Sequence, residues 1–380
     1  MRVVQNLWMP DRGWRDTWES MSELPPERSV LLALGDGEAW EASSWREELR
    51  ARFPNVPLVG CSTAGEMEGA TLRENAVSLS AVSFDAVTVR TVSTSLATLE
   101  DSFRAGRSLA LALGAPTLRH VLVFAEGIAV QGADFARGLS EALPEGVRAS
   151  GGMAGDGFRS ESATLLEGDS RSSGRALALG LYGASLEVGC GVFGGWMPFG
   201  PPRVISRAQG AFLMELDGRN ALDLLRQYMG DGIFDNERIV AFPLGICDEG
   251  GHVVAVRALL RTELQGRRVV TVGEIPEGTR IRFLRGSAEN LLDGAGEAVR
   301  SALKEHRRAP DWALAVGCFG RRCFLGHRAG EEAQEVTGAL GAAVPLSGFL
   351  SYGELAPVAG MTQGCLFHNE TMTVTTFVEN

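Results

Sequence analysis

The chain reads as a succession of short apolar runs separated by turn residues. Runs at Ser29–Gly35, Val56–Cys61, Asn75–Phe84, Val87–Val92, His120–Ala125, Ala163–Glu167, Arg175–Tyr182 and Leu186–Phe193 have strand length, and each predicts a strand. Between them, Ser102–Leu113 and Gly132–Leu143 place Leu109, Leu111, Phe135, Leu139 and Leu143 at helical spacings. In the second half, Ser287–Arg308 carries an apolar stripe from Leu291 to Leu303. Glu289 in its first turn and Lys304, Arg307 and Arg308 in its last match the helix dipole. A shorter helix around Ala221, Leu222 and Leu225 would be capped by Asp217 and closed by Gly230. Arg238–Phe242, His252–Leu260, Arg268–Val272 and Arg280–Leu284 alternate as strands of an antiparallel meander would.

Hairpin, helix, strand, helix and three strands follow in the same order in both halves, and short strings recur in step. Pro57–Cys61 resembles Pro243–Cys247, His120–Ala125 resembles Trp312–Gly317, and Ser150–Gly152 resembles Ser347–Phe349, at offsets that grow slowly from 186 through 192 to 197 residues. The expectation is a mixed α/β (α+β) fold of two related halves, with largely antiparallel sheets flanked by helices and an internal duplication. The join falls near Asp217-Gly218, dividing the chain into 1–217 and 218–380.

Composition narrows the function classes. A chain of 380 residues with 45% hydrophobic and 22% charged residues can fill more than one core. Its net charge of −11 repels phosphate backbones and anionic lipid, so nucleic acid is not an expected partner. The longest uncharged stretch, Val336 to Gly353, is broken by Gly338, Gly341, Pro345 and Gly348 and predicts a helix end, a turn and a strand rather than membrane insertion. Six sparse cysteines and an N-terminus without a basic and apolar leader pattern point to a reduced, cytoplasmic setting.

Three glycine-rich strings each follow a strand. Gly60-Cys61-Ser62-Thr63-Ala64-Gly65-Glu66 brings small residues and free amides to a turn where a ligand can approach the backbone. Gly151-Gly152-Met153-Ala154-Gly155-Asp156-Gly157 ends in a glycine–acid pair but fits neither the dinucleotide fingerprint nor the phosphate-binding loop, so no nucleotide cofactor is indicated. Tyr352-Gly353-Glu354 holds another glycine–acid pair near the place where the repeat puts the partner of Asp156. Cys365-x-x-His368 in a strand-like run from Cys365 to Val374 projects to opposite faces, which argues against a metal. His368 stands as either a pocket hydrogen-bonding group or a satisfied histidine of the sheet. Cys61 with His368 as base leaves a cysteine-dependent hydrolase or transferase open as the alternative, although no Gly-x-Ser-x-Gly elbow or other catalytic signature is present.

Taken together, these strings resemble the FIST (F-box and intracellular signal transduction) family. The similarity runs over Gly60–Glu66, Gly151–Asp156, Trp196-Met197-Pro198-Phe199-Gly200-Pro201, Glu215-Leu216-Asp217-Gly218, Pro243-Leu244-Gly245, Tyr352-Gly353-Glu354 and Phe367-His368-Asn369-Glu370-Thr371-Met372-Thr373. Two departures stand out, Ala356 where the family pattern has glycine and Glu370 where glutamine is common. The resemblance implies an intracellular sensory module of signal transduction that binds a small ligand, amino acids being the usual proposal, with output through a signalling protein partner. The candidate ligand-binding set is then Gly60, Cys61, Ser62, Thr63, Gly65, Glu66, Gly152, Gly155, Asp156, Gly157, Tyr352, Gly353, Glu354, His368 and Asn369. For an amino-acid ligand, Glu66, Asp156 or Glu354 would pair with the ammonium, and glycine-turn amides with Ser62 or Thr63 would hold the carboxylate. A scaffold with no small ligand is the third reading.

Overall fold

A computed structural model describes residues 1–18, 24–234 and 236–380, without the side chains of Ile233, Asn236 and Glu237. Elements follow the hydrophobic pattern closely where the pattern is regular. Ser29–Gly35, Arg175–Tyr182 and Leu186–Phe193 are strands, and Ser102–Leu113 is a helix. The second-half helix runs Ala288–Leu303, its N-terminus capped by the Ser287 hydroxyl accepting from Asn290 N–H.

Three sheets share one order of pairing. In each, an outer strand (Arg2–Met9, Thr88–Ser95, Leu186–Phe193) pairs antiparallel with a return strand (Val77–Ser83, Arg175–Tyr182, Met372–Glu379). The return strand pairs antiparallel with a leading strand (Ser29–Gly35, Leu118–Glu126, Trp312–Cys318). The leading strand pairs in parallel with a following strand (Leu58–Ser62, Arg148–Ala154, Leu346–Ser351). Helices join each leading strand to its following strand: Gly37–Glu41 and Ser44–Arg52, then Gly132–Ala142, then Phe319–Leu325 and Gly330–Leu340. A parallel pair requires such a crossover.

A hairpin completes each sheet, and it comes from another unit. The hairpin Glu66–Glu68 with Thr71–Arg73 extends the third sheet, Leu165–Glu167 with Ser170–Ser172 the first, and Glu354–Ala356 with Leu366–His368 the second. The exchange is cyclic, so the units lock one another in place. One core collects Leu34, Phe124 and Val316 from the three leading strands, whereas separate cores lie between each sheet and its own helices.

The same backbone demands recur in each unit. Gly60, Gly151 and Gly348 occupy one position of the following strand, where a Cβ would stand 1.8, 1.8 and 2.7 Å from the carbonyl oxygens of Ala33, Val123 and Ala315. Parallel strands this close leave no room for a side chain. The return strands are each entered through a positive-φ residue: Asn75 (φ 52°), Gly174 (φ 62°) and Glu370 (φ 60°).

The duplication seen in the sequence pairs the second and third units: His120–Ala125 and Trp312–Gly317 lie in their leading strands, Ser150–Gly152 and Ser347–Phe349 in their following strands. Its first landmark divides differently. Cys61 lies in a following strand, whereas Cys247 lies in a fourth sheet inserted between Leu186–Phe193 and Ala288–Leu303. This inserted sheet orders Val253–Arg257, Leu244–Cys247, Arg280–Arg285, Met197–Gln209, Phe212–Leu216, Arg268–Thr271 and Leu259–Glu263, with its own core around Leu225, Phe283 and Ile281. Two local expectations need correcting here. Asn220, not Asp217, caps Ala221–Met229, because Asp217 is drawn to the Val204 N–H and the Arg203 guanidinium. Within Arg238–Phe242, a helical turn through Ile239 replaces the expected strand and turns Ile239 into the insert's core. The run from Cys365 to Val374 is likewise broken, since the turn at Glu370 separates Leu366–His368 from Met372–Glu379. Among the described residues no helix is long and apolar enough to cross a membrane.

Candidate functional site

The three glycine-rich loops are equivalent parts of the three units, each leading from a following strand into its exchanged hairpin. They meet at one place. Ala64 N–H donates to Leu350 C=O and Leu350 N–H to Gly65 C=O, both at 2.9 Å; Gly155 N–H reaches Ser62 C=O at 3.0 Å and Tyr352 N–H reaches Met153 C=O at 3.1 Å. In the first unit the Thr63 hydroxyl donates to the Glu66 carboxylate and accepts from Gly65 N–H. The third unit repeats this with Ser351 donating to Glu354 and accepting from Gly353 N–H. Leu165 takes the corresponding place in the second unit, whose longer loop is organised by Asp156.

Most polar groups at this junction are spent on the loops themselves. Asp156 accepts from Ser160, Glu161 and Ser162 N–H at 2.8–2.9 Å and from the Tyr352 hydroxyl at 2.5 Å. Burial works against its charge, but these donors hold its carboxyl below the ordinary range. Ser62 Oγ accepts from Thr164 N–H, and Glu354 accepts from Thr371 N–H and its hydroxyl as well as from Ser351. Gly152 packs against Val316 and Phe349, Gly155 lies against the Tyr352 ring, and Gly157 (φ 71°) turns the loop.

Other carboxyls around this junction bind their protons more tightly than usual. Burial pushes Glu354 up to about 8 and raises Glu66, Asp36 and Glu126, with neighbouring carboxylates adding to the rise at the last three. One Glu66 oxygen has no partner. Burial likewise pushes the Cys61 thiol well up, with the Glu66 charge adding to it, and Cys61 is fully enclosed in the central core. A thiolate nucleophile needs the opposite surroundings. Among the described residues no three His, Cys, Asp or Glu side chains converge as metal ligands would.

His368 stands apart from Cys61 and faces a different space. A cavity of about 310 Å³ opens where the exchanged hairpin of the third unit meets that unit's own outer strand and the inserted sheet. Its walls come from Cys190 to Trp196, from Val253 to Val256, and from Val358 and Ala359 in the hairpin turn; His368, Thr371 and Ser301 supply polar side chains. His368 Nε2 is 3.0 Å from the Ala356 carbonyl, and burial lowers its pKa to about 4, so the ring is neutral at pH 7. Thr371 joins the cavity to the loop junction, since it also holds Glu354. Behind it, both carboxylate oxygens of Glu370 and both amide atoms of Asn369 are buried without partners, while Trp196 Nε1–H donates to the Glu370 carbonyl.

Sequence reasoning thus located the loop junction and His368, but not Thr371, Asp36, Glu126 or the inserted wall of the cavity. Thr371 lies inside the string Phe367–Thr373; Asp36 directly follows one leading strand and Glu126 is the last residue of another, a signal visible only once the threefold equivalence is known.

Comparison with known proteins covers most of the chain. The uncharacterised protein Rv0628c of Mycobacterium tuberculosis (strain ATCC 25618 / H37Rv) is 28% identical over 251 residues, 63% of this chain and 63% of that protein. The uncharacterised protein Mb0898c of Mycobacterium bovis is 28% identical over 198 residues, 49% of each. The chain therefore spans about 63% of the length of the first of these relatives. The crystal structure of cyanuric acid hydrolase from A. caulinodans aligns over 100% of this chain and 98% of that one, with 10% identity and a TM-score of 0.42. Residues 29–219 match the FIST N domain and residues 221–357 the FIST C domain, a nearly unbroken span that takes in all three loops and the inserted sheet: the chain belongs to the FIST family.

Proposed function

We propose that this protein is a sensory module that binds a small molecule of the amino-acid class in the cavity beside His368. FIST domains are associated with sensory roles in signal transduction. The observation that carries the reading is the cavity itself: about 310 Å³, at the small end of ligand-pocket sizes, with apolar side chains such as Val192, Trp196 and Val253 in its wall and His368, Thr371 and Ser301 as a few oriented polar groups. Of the residues expected from sequence, His368 would touch the ligand directly. Glu354 and Asn369 would support the wall, and the Gly60–Glu66 and Gly151–Gly157 loops would form the frame that transmits occupancy between units. Occupancy would tie the exchanged hairpin to the inserted sheet, which gives a signalling partner a surface to read.

The test is a thermal-shift screen of the intact chain against amino acids and their amide, acyl and peptide derivatives. A ligand at about a hundred times its Kd adds roughly 2.7 kcal/mol. The expected result is a shift from one chemical class that His368→Ala and Thr371→Val both abolish. A shift untouched by either substitution places the ligand elsewhere, and no shift from any compound removes the reading.

A further inference from the structure

The cavity lies where free edges of three sheets come together. Leu186–Phe193 is the edge of the third sheet, Val253–Arg257 the edge of the inserted sheet, and Leu366–His368 the edge of the second. A strand directs the N–H and C=O of alternate residues to opposite sides, so an edge strand leaves every second residue unpaired.

The direction of those groups can be read from their neighbours. In the outer strand, Val188 C=O accepts from Arg148 and Cys190 N–H donates to Glu305 at 3.1 Å, and neither side chain belongs to the adjoining return strand. Gly189 C=O, by contrast, accepts from Thr376 on that return strand. Residues 188, 190 and 192 therefore turn outwards. Arg148 and Glu305 cap the first of these groups, leaving Cys190 C=O and both main-chain groups of Val192 beside the cavity. On the facing wall, Pro243 C=O accepts from Leu284 N–H, so the odd-numbered residues of Leu244–Cys247 bond to Arg280–Arg285 and the even-numbered ones to Val253–Arg257. Ala255, opposite Ile246, then points inwards and Val256, opposite Gly245, points outwards. The Val256 carbonyl accepts from the Arg257 guanidinium, and its N–H is left facing out.

The second observation is charge. Among the described residues, none lining the cavity is Asp, Glu, Lys or Arg. The nearest charges are already engaged, Arg257 by the Val256 carbonyl and Glu305 by Cys190 N–H and Arg148. A free amino acid is a zwitterion, and without a free carboxylate in the wall its ammonium gives up hydration on entering. An amide-linked amino acid has no such cost, and its alternating C=O and N–H match strand edges that offer the same pattern.

From these two observations, and resting on the small-ligand reading above, we infer that the cavity takes amino acids in amide-linked, uncharged form: the extended backbone of a short peptide or a doubly blocked amino acid, hydrogen-bonded to the outward groups of Cys190, Val192 and Val256. Apolar side chains of the ligand lie against Phe193, Trp196 and Val253. The neutral His368 and the Thr371 hydroxyl serve its remaining amide.

The experiment compares three probes by calorimetry and thermal shift on the intact chain: free valine, the acetylated and amidated dipeptide of valine and alanine, and the same dipeptide with its central amide N-methylated. The expected order is binding by the blocked dipeptide, at least tenfold weaker binding after N-methylation, and none by free valine. Val192→Pro removes one outward N–H at a sheet edge, where proline is tolerated, and is expected to weaken the dipeptide at least tenfold. Should that variant fail to fold, the N-methyl comparison decides by ligand chemistry alone. Binding by free valine, or equal binding of the two dipeptides, overturns this inference while leaving the small-ligand reading standing. Failure of all three probes alongside a shift from a charged metabolite in the wider screen also overturns it, and silence across the wider screen overturns both.

Discussion

The loop junction around Glu66 and Glu354 and the cavity beside His368 adjoin through Thr371, yet they use polar groups in opposite ways. At the junction, donors and acceptors bond one another: Asp156 gathers three backbone amides and a tyrosine, and Ser351, Glu354 and Thr371 close on themselves. Around the cavity, none of the described lining residues is charged, and edge strands of three sheets turn main-chain groups towards it. The junction holds buried carboxyls that stay protonated more readily than usual, whereas the cavity holds a histidine kept neutral. The lesson is that a cluster of conspicuous acids need not be the place where a ligand sits. Buried polar groups that satisfy one another build a rigid frame, and groups left over mark where something else can bind.

The sharpest test of the frame is Gly60→Ala. A Cβ 1.8 Å from the Ala33 carbonyl oxygen forces the parallel strands apart, and a loss of about 3 kcal/mol or more is expected, read as a lower urea midpoint. Gly157→Ala, where nothing lies within 4 Å but φ is 71°, should cost no more than about 1–2 kcal/mol. Equal costs would mean that strand spacing at the junction is not rigid.

Next in size is the pH response. Glu354 binds its proton more tightly folded than unfolded, its pKa rising from 4.5 to about 8. Its contribution to stability is therefore fully present below about pH 4.5 and is lost as pH rises through about 8. Glu354→Gln keeps the neutral shape, so the variant should gain on the wild-type chain between pH 5 and pH 9 in urea midpoint. Parallel curves would show that Glu354 ionises as freely in the folded state as in the unfolded one.

Glu354→Ala strands the Thr371 N–H and hydroxyl and should cost about 1–3 kcal/mol. Because Thr371 also lines the cavity, ligand affinity should fall with it. Unchanged affinity at reduced stability would separate the two regions completely. The smallest effect is expected at Ser301→Ala, which touches only the cavity wall: stability should hold within about 0.5 kcal/mol while affinity changes by no more than about tenfold. A larger loss of stability there would show the wall to be part of the frame.

Much of this architecture was legible along the chain. The alternation of apolar runs marks the strands because a half-buried or buried strand must be apolar on its packed face, and Ser29–Gly35, Arg175–Tyr182 and the helix Ser102–Leu113 end where the pattern ends. The three glycine-rich strings were visible as well, since Gly60 and Gly151 are positions at which a side chain cannot be accommodated. Leu111 shows the limit of such patterns: it sits at a helical spacing yet is 61% exposed, because the helix turns its Ala105–Leu109–Leu113 face to the sheet.

Which units those elements would form lay beyond periodicity. A strand's pattern says that it pairs but carries no record of its partner, so the cyclic exchange of hairpins, and with it the third copy of the repeat, comes from hydrogen bonds between residues as distant as Glu66 and Phe349. The same holds for function. The sequence by itself determined the strands, the glycine turns and a supply of acids; only the tertiary structure decided that the acids face one another, that Cys61 is sealed in the core, and that three sheet edges close around His368. Burial and unpaired main-chain groups are properties of neighbours in space, and the chain assigns those neighbours only by folding.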